Sequence, residues 1–380
     1  MAEVIVVGGG ASGIISAIYA GKNGNKVTVL ERNEKALKKL LVTGNGHCNY
    51  WNQDQSLDHY HTAHIKLLEK IMATSNQKEI LNFFEKIGIV PKIKNGYYYP
   101  YSNQAASVRE ALLLEAQLAG VIIKTDVLVE EVIKQGDKFT IKSKNSQYKA
   151  DKVILALGSK AYFKGSFAPN IYEIVQNMGY PINTILPALV PLCGKGYYFK
   201  TWSGVRTEAQ VTLYENGHMC QTETGELQLT DYGLSGICIF NLSGLVAEGL
   251  NNGLREVIKI NFAPFIEGKS AFAVVNFLDK RDKKVPNRNI FQLLEGFLHY
   301  KLIKVLLKKA QIAENSIWSN LSENKKKELA RMIYAFEQPI IGTLDFDRAQ
   351  VCRGGVFLTE IDPYTMESLK ILPDFLLLIL

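Results

Sequence analysis

The feature that most constrains the fold is a glycine-rich turn between an apolar strand and a helix at the start of the chain. Residues 4–7 are a continuous β-branched run, which is typical of a parallel strand buried on both faces. Residues 8–13 follow directly and have the spacing G-x-G-x-x-G. A helical pattern comes next, and a second apolar strand, residues 27–30, ends at Glu31. Strand, glycines, helix, strand and acid in one short unit predict a dinucleotide-binding βαβ fold.

Each residue of the turn has a separate role in such a unit. Gly8 permits the tight turn, Gly10 lets the backbone approach a pyrophosphate, and Gly13 allows close packing of helix on strand. Ala11 and Ser12 open the helix, where free N–H groups and the positive end of the helix dipole face the phosphates.

The residues around and after the second strand bear on which dinucleotide is bound. The carboxylate of Glu31 predicts hydrogen bonds to ribose hydroxyls and disfavours the 2′-phosphate of NADP. Further on, Gly44 and Gly46 flank Asn45 in a segment that does not begin another simple crossover. This segment either lays backbone N–H groups against a second part of a long cofactor or forms a surface turn. The residues alone leave both interpretations open.

Composition narrows the class of protein. The 380 residues are 47% hydrophobic and 21% charged, typical of a globular protein with two or three packed units. The N-terminus has no signal-peptide pattern, and no apolar run reaches the ~20 residues of a transmembrane helix. We therefore expect a cytoplasmic protein without stable membrane insertion.

The distribution of lysine, cysteine and histidine argues against a nucleic-acid-binding, disulfide-rich or metal-binding protein. The net charge is +7, but the lysines are spread along the chain without an aromatic-interleaved basic motif, so we expect no nucleic-acid partner. None of the five cysteines forms a C-x-x-C pair, which argues against a disulfide framework and a zinc site. His59, His61 and His64 have no carboxylate at matched spacing, and we expect no bound metal.

Residues 31–52 resemble the signature of the HI0933-like flavoprotein family, which runs E-x-N…K-L-L-x-T-G-N-G-R-C-N. Members of this family are described as aminoacetone-oxidase-like or as NAD(P)/FAD-dependent oxidoreductases. Residues 151–159, 186–192, 225–236 and 349–368 resemble later segments of the family. The resemblance thus covers nearly the whole chain.

The resemblance implies an α/β fold: a glutathione-reductase-type, FAD-binding Rossmann-like domain with an inserted β-domain and a helical subdomain. We expect the FAD-binding domain at residues 1–186 and 340–380, the β-domain at 187–266 and the helical subdomain at 267–339. Val129 would contact the adenine through its backbone. The expected cofactor-binding residues are Gly8, Gly10, Ala11, Ser12, Gly13, Glu31, Arg32, Lys39, Gly44, Asn45, Gly46, Cys48, Asn49, Val129 and Gly158.

The chain departs from the family pattern at several positions. His47 stands where Arg is usual, Leu37 where Gly is usual, and Arg353 where a small residue is common. After Ser368 the family's glycine-rich segment, with an acid along the flavin, is replaced by the apolar residues 369–380. This predicts a truncated or frame-shifted end and a flavin that is weakly held or absent.

The leading functional prediction is an FAD-dependent oxidoreductase acting on a small organic substrate, in which the flavin carries the redox chemistry. The chain has no second G-x-G-x-x-G unit, so NAD(P)H would dock transiently over the flavin. Alternatives are a 3-dehydro-bile-acid-type double-bond reductase, an inactive remnant of the family and an NAD-binding regulator. Cys48 would lie near the cofactor or serve as a small buried residue. The sequence identifies no catalytic residue and no oligomeric state.

Overall fold

A computed structural model describes residues 1–74, 76–161, 171–268 and 270–370, and the backbone of 375–377. The chain forms two compact units. The first comprises Met1–Ser159, Ser166–Thr184 and Gly354–Leu380, and the second comprises Lys160–Gly165 and Ile185–Arg353.

The strands are β1 (Glu3–Val7), β2 (Lys26–Leu30), β3 (Trp51–Asn52), β4 (Pro91–Lys94), β5 (Tyr97–Pro100), β6 (Ile122–Lys124), β7 (Val129–Gln135), β8 (Lys138–Ser143), β9 (Ser146–Ala150), β10 (Lys152–Leu155), β11 (Ile182–Ala188), β12 (Leu192–Gly194), β13 (Arg206–Glu215), β14 (His218–Leu229), β15 (Gly233–Ser235), β16 (Glu256–Asn261), β17 (Phe336–Thr343), β18 (Val351–Val356) and β19 (Phe375–Leu377).

The α-helices are α1 (Ala11–Lys22), α2 (Ile65–Ala73), α3 (Gln77–Lys86), α4 (Ala105–Leu118), α5 (Ile171–Asn177), α6 (Phe199–Trp202), α7 (Ile237–Asn251), α8 (Ala271–Lys284), α9 (Ile290–Glu295), α10 (Tyr300–Ala310) and α11 (Glu323–Tyr334). Short 3₁₀ segments occupy Leu40–Gly46, Leu57–His59, Trp318–Asn320 and Leu358–Glu360. Across the described residues, none of the helices is both long and apolar enough to cross a membrane.

A five-stranded parallel sheet with the order β19-β10-β1-β2-β6 forms the centre of the first unit. Strand β1 is buried on both faces because its side chains alternate between two cores. Val4 and Val6 pack with side chains of α1 and α4. Ile5 and Val7 pack with side chains of the β7-β8-β9 sheet and α5. This two-sided burial explains the uninterrupted apolar run of β1 and confirms the Rossmann-type fold.

A closed six-stranded barrel with the order β12-β15-β14-β13-β16-β17 forms part of the second unit. Leu213 and Ile258 of the barrel share one hydrophobic core with Leu302 of α10 and Leu329 of α11. The β-domain and helical subdomain that the sequence divided at 266/267 therefore have a common core. The predicted boundary at residue 340 lies inside β17, and the chain leaves the second unit after Arg353.

Part of the apolar C-terminal run forms an edge strand of the parallel sheet. The backbone of β19 pairs with β10, with Val153 opposite Phe375 and Leu155 opposite Leu377. The remainder of the run, residues 371–374 and 378–380, lies outside the described residues.

Candidate cofactor-binding site

The three glycines of the first turn have different surroundings. Gly8 has a φ of +108°, and a Cβ there would lie 2.1 Å from the carbonyl oxygen of Ala156. A Cβ at Gly13 would lie 1.9 Å from the carbonyl oxygen of Gly8. A Cβ at Gly10 would meet no described heavy atom within 4 Å. Gly8 and Gly13 are thus required by packing, whereas Gly10 borders open space.

This open space lies at the N-terminus of α1. The helix starts at Ala11, and Gly10 precedes it as an N-cap residue without a side chain to accept from the first N–H groups. The first turn contains no acidic residue, and Gly10 and Ala11 are exposed. Free N–H groups and the helix dipole make this end suited to an anion such as a pyrophosphate.

Glu31 ties the end of β2 to the glycine turn. Its side chain is buried, and Oε2 accepts a hydrogen bond of 2.7 Å from the backbone N–H of Gly9. Its Oε1 accepts from the backbone N–H of Asn33 at 2.8 Å and from the Asn33 side chain at 2.5 Å. The buried carboxylate is therefore held in one orientation at the carboxyl edge of the sheet. The neighbouring Arg32 is half-buried, and this burial lowers the pKa of its guanidinium.

The loop that resembles the family signature turns through several left-handed residues. The φ angles of Gly44, Asn45, Gly46 and Cys48 are +55°, +56°, +86° and +58°. Glycine and asparagine are residue types that adopt such φ angles readily, and His47, with a φ of −100°, separates Cys48 from the other three. The loop keeps a link between its ends, because the N–H of Cys48 donates to the carbonyl oxygen of Thr43 at 3.0 Å.

Lys39 joins this region to the turn after β10. Its Nζ donates a hydrogen bond of 2.8 Å to the carbonyl oxygen of Ser159. The adjacent Gly158 has a φ of +76°, and a Cβ there would also meet no described heavy atom within 4 Å. Because β10 pairs in parallel with β1, Gly158 and the Gly8 turn follow neighbouring strands at the same edge of the sheet.

Val129 begins β7 and is buried in the core beneath the same sheet. Two residues earlier, the N–H of Val127 donates to the backbone carbonyl of Glu31 at 2.9 Å. The connection from β6 to β7 therefore runs along the end of β2. This brings the predicted adenine-contacting segment beside the predicted ribose-binding acid.

Cys48, which the sequence left between two interpretations, is only 4% exposed. Burial raises the pKa of its thiol. A buried thiol held in its neutral form is a packing group rather than a nucleophile. The exposed Asn49 follows it, and its N–H would lie 2.9 Å from a Cβ at Gly44.

Two features of this region were not identified from the sequence. Leu37, at the position where the family has Gly, adopts a φ of +60° while its side chain is buried. The indole N–H of Trp51 is buried and has no hydrogen-bond partner in the described part of the chain. Trp51 pairs with Tyr98 in the small β3-β5-β4 sheet, and a Cβ at Gly44 would lie 3.4 Å from Tyr99.

His59 Nε2 lies 2.9 Å from a carboxylate oxygen of Asp54 on the exposed surface. Over the described ranges, no group of three or more His, Cys, Asp or Glu side chains is placed to hold a metal ion.

Sequence comparison finds relatives over almost the whole chain. A 3-dehydro-bile acid delta(4,6)-reductase of Clostridium scindens is 36% identical over 371 residues, covering 97% of this chain and 90% of the relative. A ribosomal RNA dihydrouridine synthase of Haemophilus influenzae is 23% identical, covering 96% and 88%. The ribosomal RNA dihydrouridine synthase of Escherichia coli is also 23% identical, covering 97% and 89%.

Solved structures show a more distant likeness. The Diels-Alderase PyrE3 has 14% identity and a TM-score of 0.31, with 56% of this chain and 38% of that chain covered. The amino acid oxidase NikD has 16% identity and a TM-score of 0.29, with 57% and 58% covered.

The family model of the HI0933-like protein Rossmann domain matches residues 2–377. This match includes β19, so the family pattern extends into the apolar C-terminal run. From the family model and the relative at 36% identity, the chain belongs to the HI0933-like family and is an oxidoreductase.

Proposed function

We propose that the first unit binds FAD and that the enzyme uses it to reduce a carbon–carbon double bond conjugated to a carbonyl group. The observation that carries the cofactor assignment is the open space at Gly10, in front of the uncapped α1. A pyrophosphate fits there, and the buried Glu31 carboxylate at the end of the next strand fits the ribose hydroxyls. Bound FAD, once reduced by NAD(P)H, would supply the hydride that such a reduction requires.

The remaining predicted residues have consistent roles in this proposal. The open backbone at Gly158 and the left-handed residues Gly44, Asn45 and Gly46 would offer N–H groups to the rest of the cofactor. Lys39 positions the turn at Gly158 through its bond to Ser159. Val129 and the segment before it follow the end of β2 and would line the adenine.

The substrate class rests on chemistry that the relatives' names share. A 3-oxo steroid with a double bond at position 4 is a conjugated enone. Conversion of uridine to dihydrouridine also saturates a carbon–carbon bond next to a carbonyl. Both reactions add a hydride and a proton across a polarised double bond. We propose the same reaction class here, with a small conjugated enone as substrate and transiently bound NAD(P)H as the reductant.

The cofactor assignment is tested with Gly10→Ala. Gly10 has a φ of −76°, which alanine adopts without strain, and the added methyl group enters only the open space. We expect the wild-type protein to keep flavin absorbance through desalting, and Gly10→Ala to fold but bind FAD at least tenfold more weakly. Gly244→Ala is the matched control, since its Cβ would make an ordinary 3.5 Å contact with Ala188. A wild-type protein that takes up no FAD would refute the proposal and favour the inactive remnant.

The reaction class is tested on the FAD-loaded enzyme under anaerobic conditions with NADH or NADPH. A 3-oxo-Δ4 steroid, a uridine-containing RNA and aminoacetone are offered separately. Mass spectrometry showing a gain of two hydrogen atoms on the steroid supports the proposal. Reduction of uridine alone assigns the RNA reaction instead, and hydrogen peroxide formed from aminoacetone in air indicates an oxidase.

A further inference from the structure

A surface of lysine and tyrosine side chains lies along α10 and the segment that contains α6. We define the α6–α10 surface as Lys195, Tyr197, Lys200, Tyr300, Lys301, Lys304 and Lys308. Two contacts join its two segments. The Nζ of Lys308 lies 5.2 Å from the ring centroid of Tyr197, and the Nζ of Lys301 donates to the carbonyl oxygen of Ser203 at 2.9 Å. Residues 195–203 therefore run beside α10 along most of its length.

The charge of this surface is of one sign. Residues 195–203 and 300–310 contain no aspartate or glutamate. The lysines of the α6–α10 surface form no ion pair within the described ranges, although lysines elsewhere in the chain do. Positions 301, 304 and 308 recur at helical spacing, so three of these charges share one face of α10. The surface is thus an uncompensated positive stripe.

Exposed aromatic rings lie within the stripe. Tyr197 is 68% exposed and Tyr300 is 48% exposed. The apolar side chains of α10, including Leu302 and Leu306, are fully buried in the core of the second unit. The helix therefore has no free apolar face to insert into a membrane. Exposed rings beside lysines that form no ion pair with the described residues instead match the two components of single-strand binding, base stacking and phosphate attraction.

We propose that the α6–α10 surface binds single-stranded RNA. The lysines contact phosphates, and Tyr197 and Tyr300 stack on bases. The sequence predicted no nucleic-acid partner because neither segment alone carries an aromatic-interleaved basic motif. The stripe arises only when the fold places residues 195–200 beside residues 300–308, about a hundred positions later in the chain. This binding requires neither FAD nor a reducible substrate, so it can fail or hold independently of the proposed reaction.

Binding is measured by fluorescence anisotropy of a labelled single-stranded RNA of roughly 16 nucleotides, the upper range of single-strand site sizes. We expect saturable binding that weakens with salt. If all five lysines contact phosphates, the logarithm of the association constant should fall with a slope of about −3.5 against log salt. Lys200→Glu/Lys304→Glu removes two exposed lysines and should weaken binding at least tenfold and flatten this slope. Tyr197→Ala should weaken binding roughly fivefold or more without changing the slope.

The matched control is Lys283→Glu/Lys284→Glu, which makes the same charge change at two exposed lysines of α8. It should bind RNA nearly as well as the wild-type protein. Equal loss in both double variants would show attraction by net charge alone and overturn the assignment. So would an absence of RNA binding at low salt, or binding to phosphatidylglycerol vesicles in its place. Circular dichroism of each variant confirms that the protein is folded.

Discussion

Glu256 gives the sharpest prediction about stability. It begins β16 with only 1% of its surface exposed, and neither carboxylate oxygen has a hydrogen-bond partner in the described residues. Glu215 lies directly opposite on β13. A Cβ at Gly249 of α7 would lie 1.8 Å from an oxygen of Glu256 and 3.4 Å from one of Glu215, so both acids face the same turn of the helix. Burial, and then the charge of Glu215, raise the pKa of Glu256 from 4.5 to about 7.

The raised pKa makes stability depend on pH in a defined direction. Below about pH 4.5, Glu256 is protonated in both the folded and the unfolded chain and contributes no penalty. Between about pH 4.5 and 7 the unfolded chain loses its proton while the folded chain keeps it, so the folded state loses stability as the pH rises. At 1.36 kcal/mol per pKa unit, the loss reaches about 3 kcal/mol above pH 7.

Glu256→Gln removes this titration while keeping the shape of the side chain. We expect the difference in free energy of unfolding, variant minus wild type, to increase by about 3 kcal/mol between pH 4.5 and pH 8. Urea unfolding at a series of pH values measures it, and only the pH-dependent part is used because the buried amide adds a constant term. Glu208→Gln, at an exposed position of β13, is the control and should show no such increase. A flat difference for Glu256→Gln would refute the reasoning.

Two further predictions concern the cofactor-binding site. Gly13→Ala should destabilise the first unit by about 1–3 kcal/mol or prevent folding, since its Cβ would lie 1.9 Å from the carbonyl oxygen of Gly8. A free energy of unfolding equal to or above that of the wild-type protein would contradict this. Glu31→Gln should lower the free energy of unfolding by about 1–3 kcal/mol and weaken FAD binding, because its NH₂ group would face an N–H donor of Gly9 or Asn33. The neighbouring exposed acid gives the control Glu34→Gln, which should change neither quantity measurably.

The Rossmann-type unit and the separate surroundings of its glycines followed from the sequence, because local spacing determines a tight turn between a strand and a helix. Gly10 faces open space and Gly13 is tightly packed, as their positions in the motif indicate. The internal organisation of the second unit could not be predicted from the sequence in the same way. Short strands and amphipathic helices each show one apolar face, but nothing local reveals that both faces meet in one core. The left-handed Leu37 and the strand β19 depend in the same way on tertiary neighbours.

The chain passes between the two units at four places, and the strands at the last two of them, β11 and β18, form a two-stranded sheet. The first unit is therefore discontinuous along the chain, yet the inserted segment begins and ends at one place. Once Ile185–Arg353 has folded, its two ends lie together, and for the first unit the segment is equivalent to a short loop rather than a long one. This lowers the entropy lost when the flanking segments meet. An efficient folding order is then the inserted unit first, followed by addition of residues from Gly354 onward to a parallel sheet already started by β1 and β10.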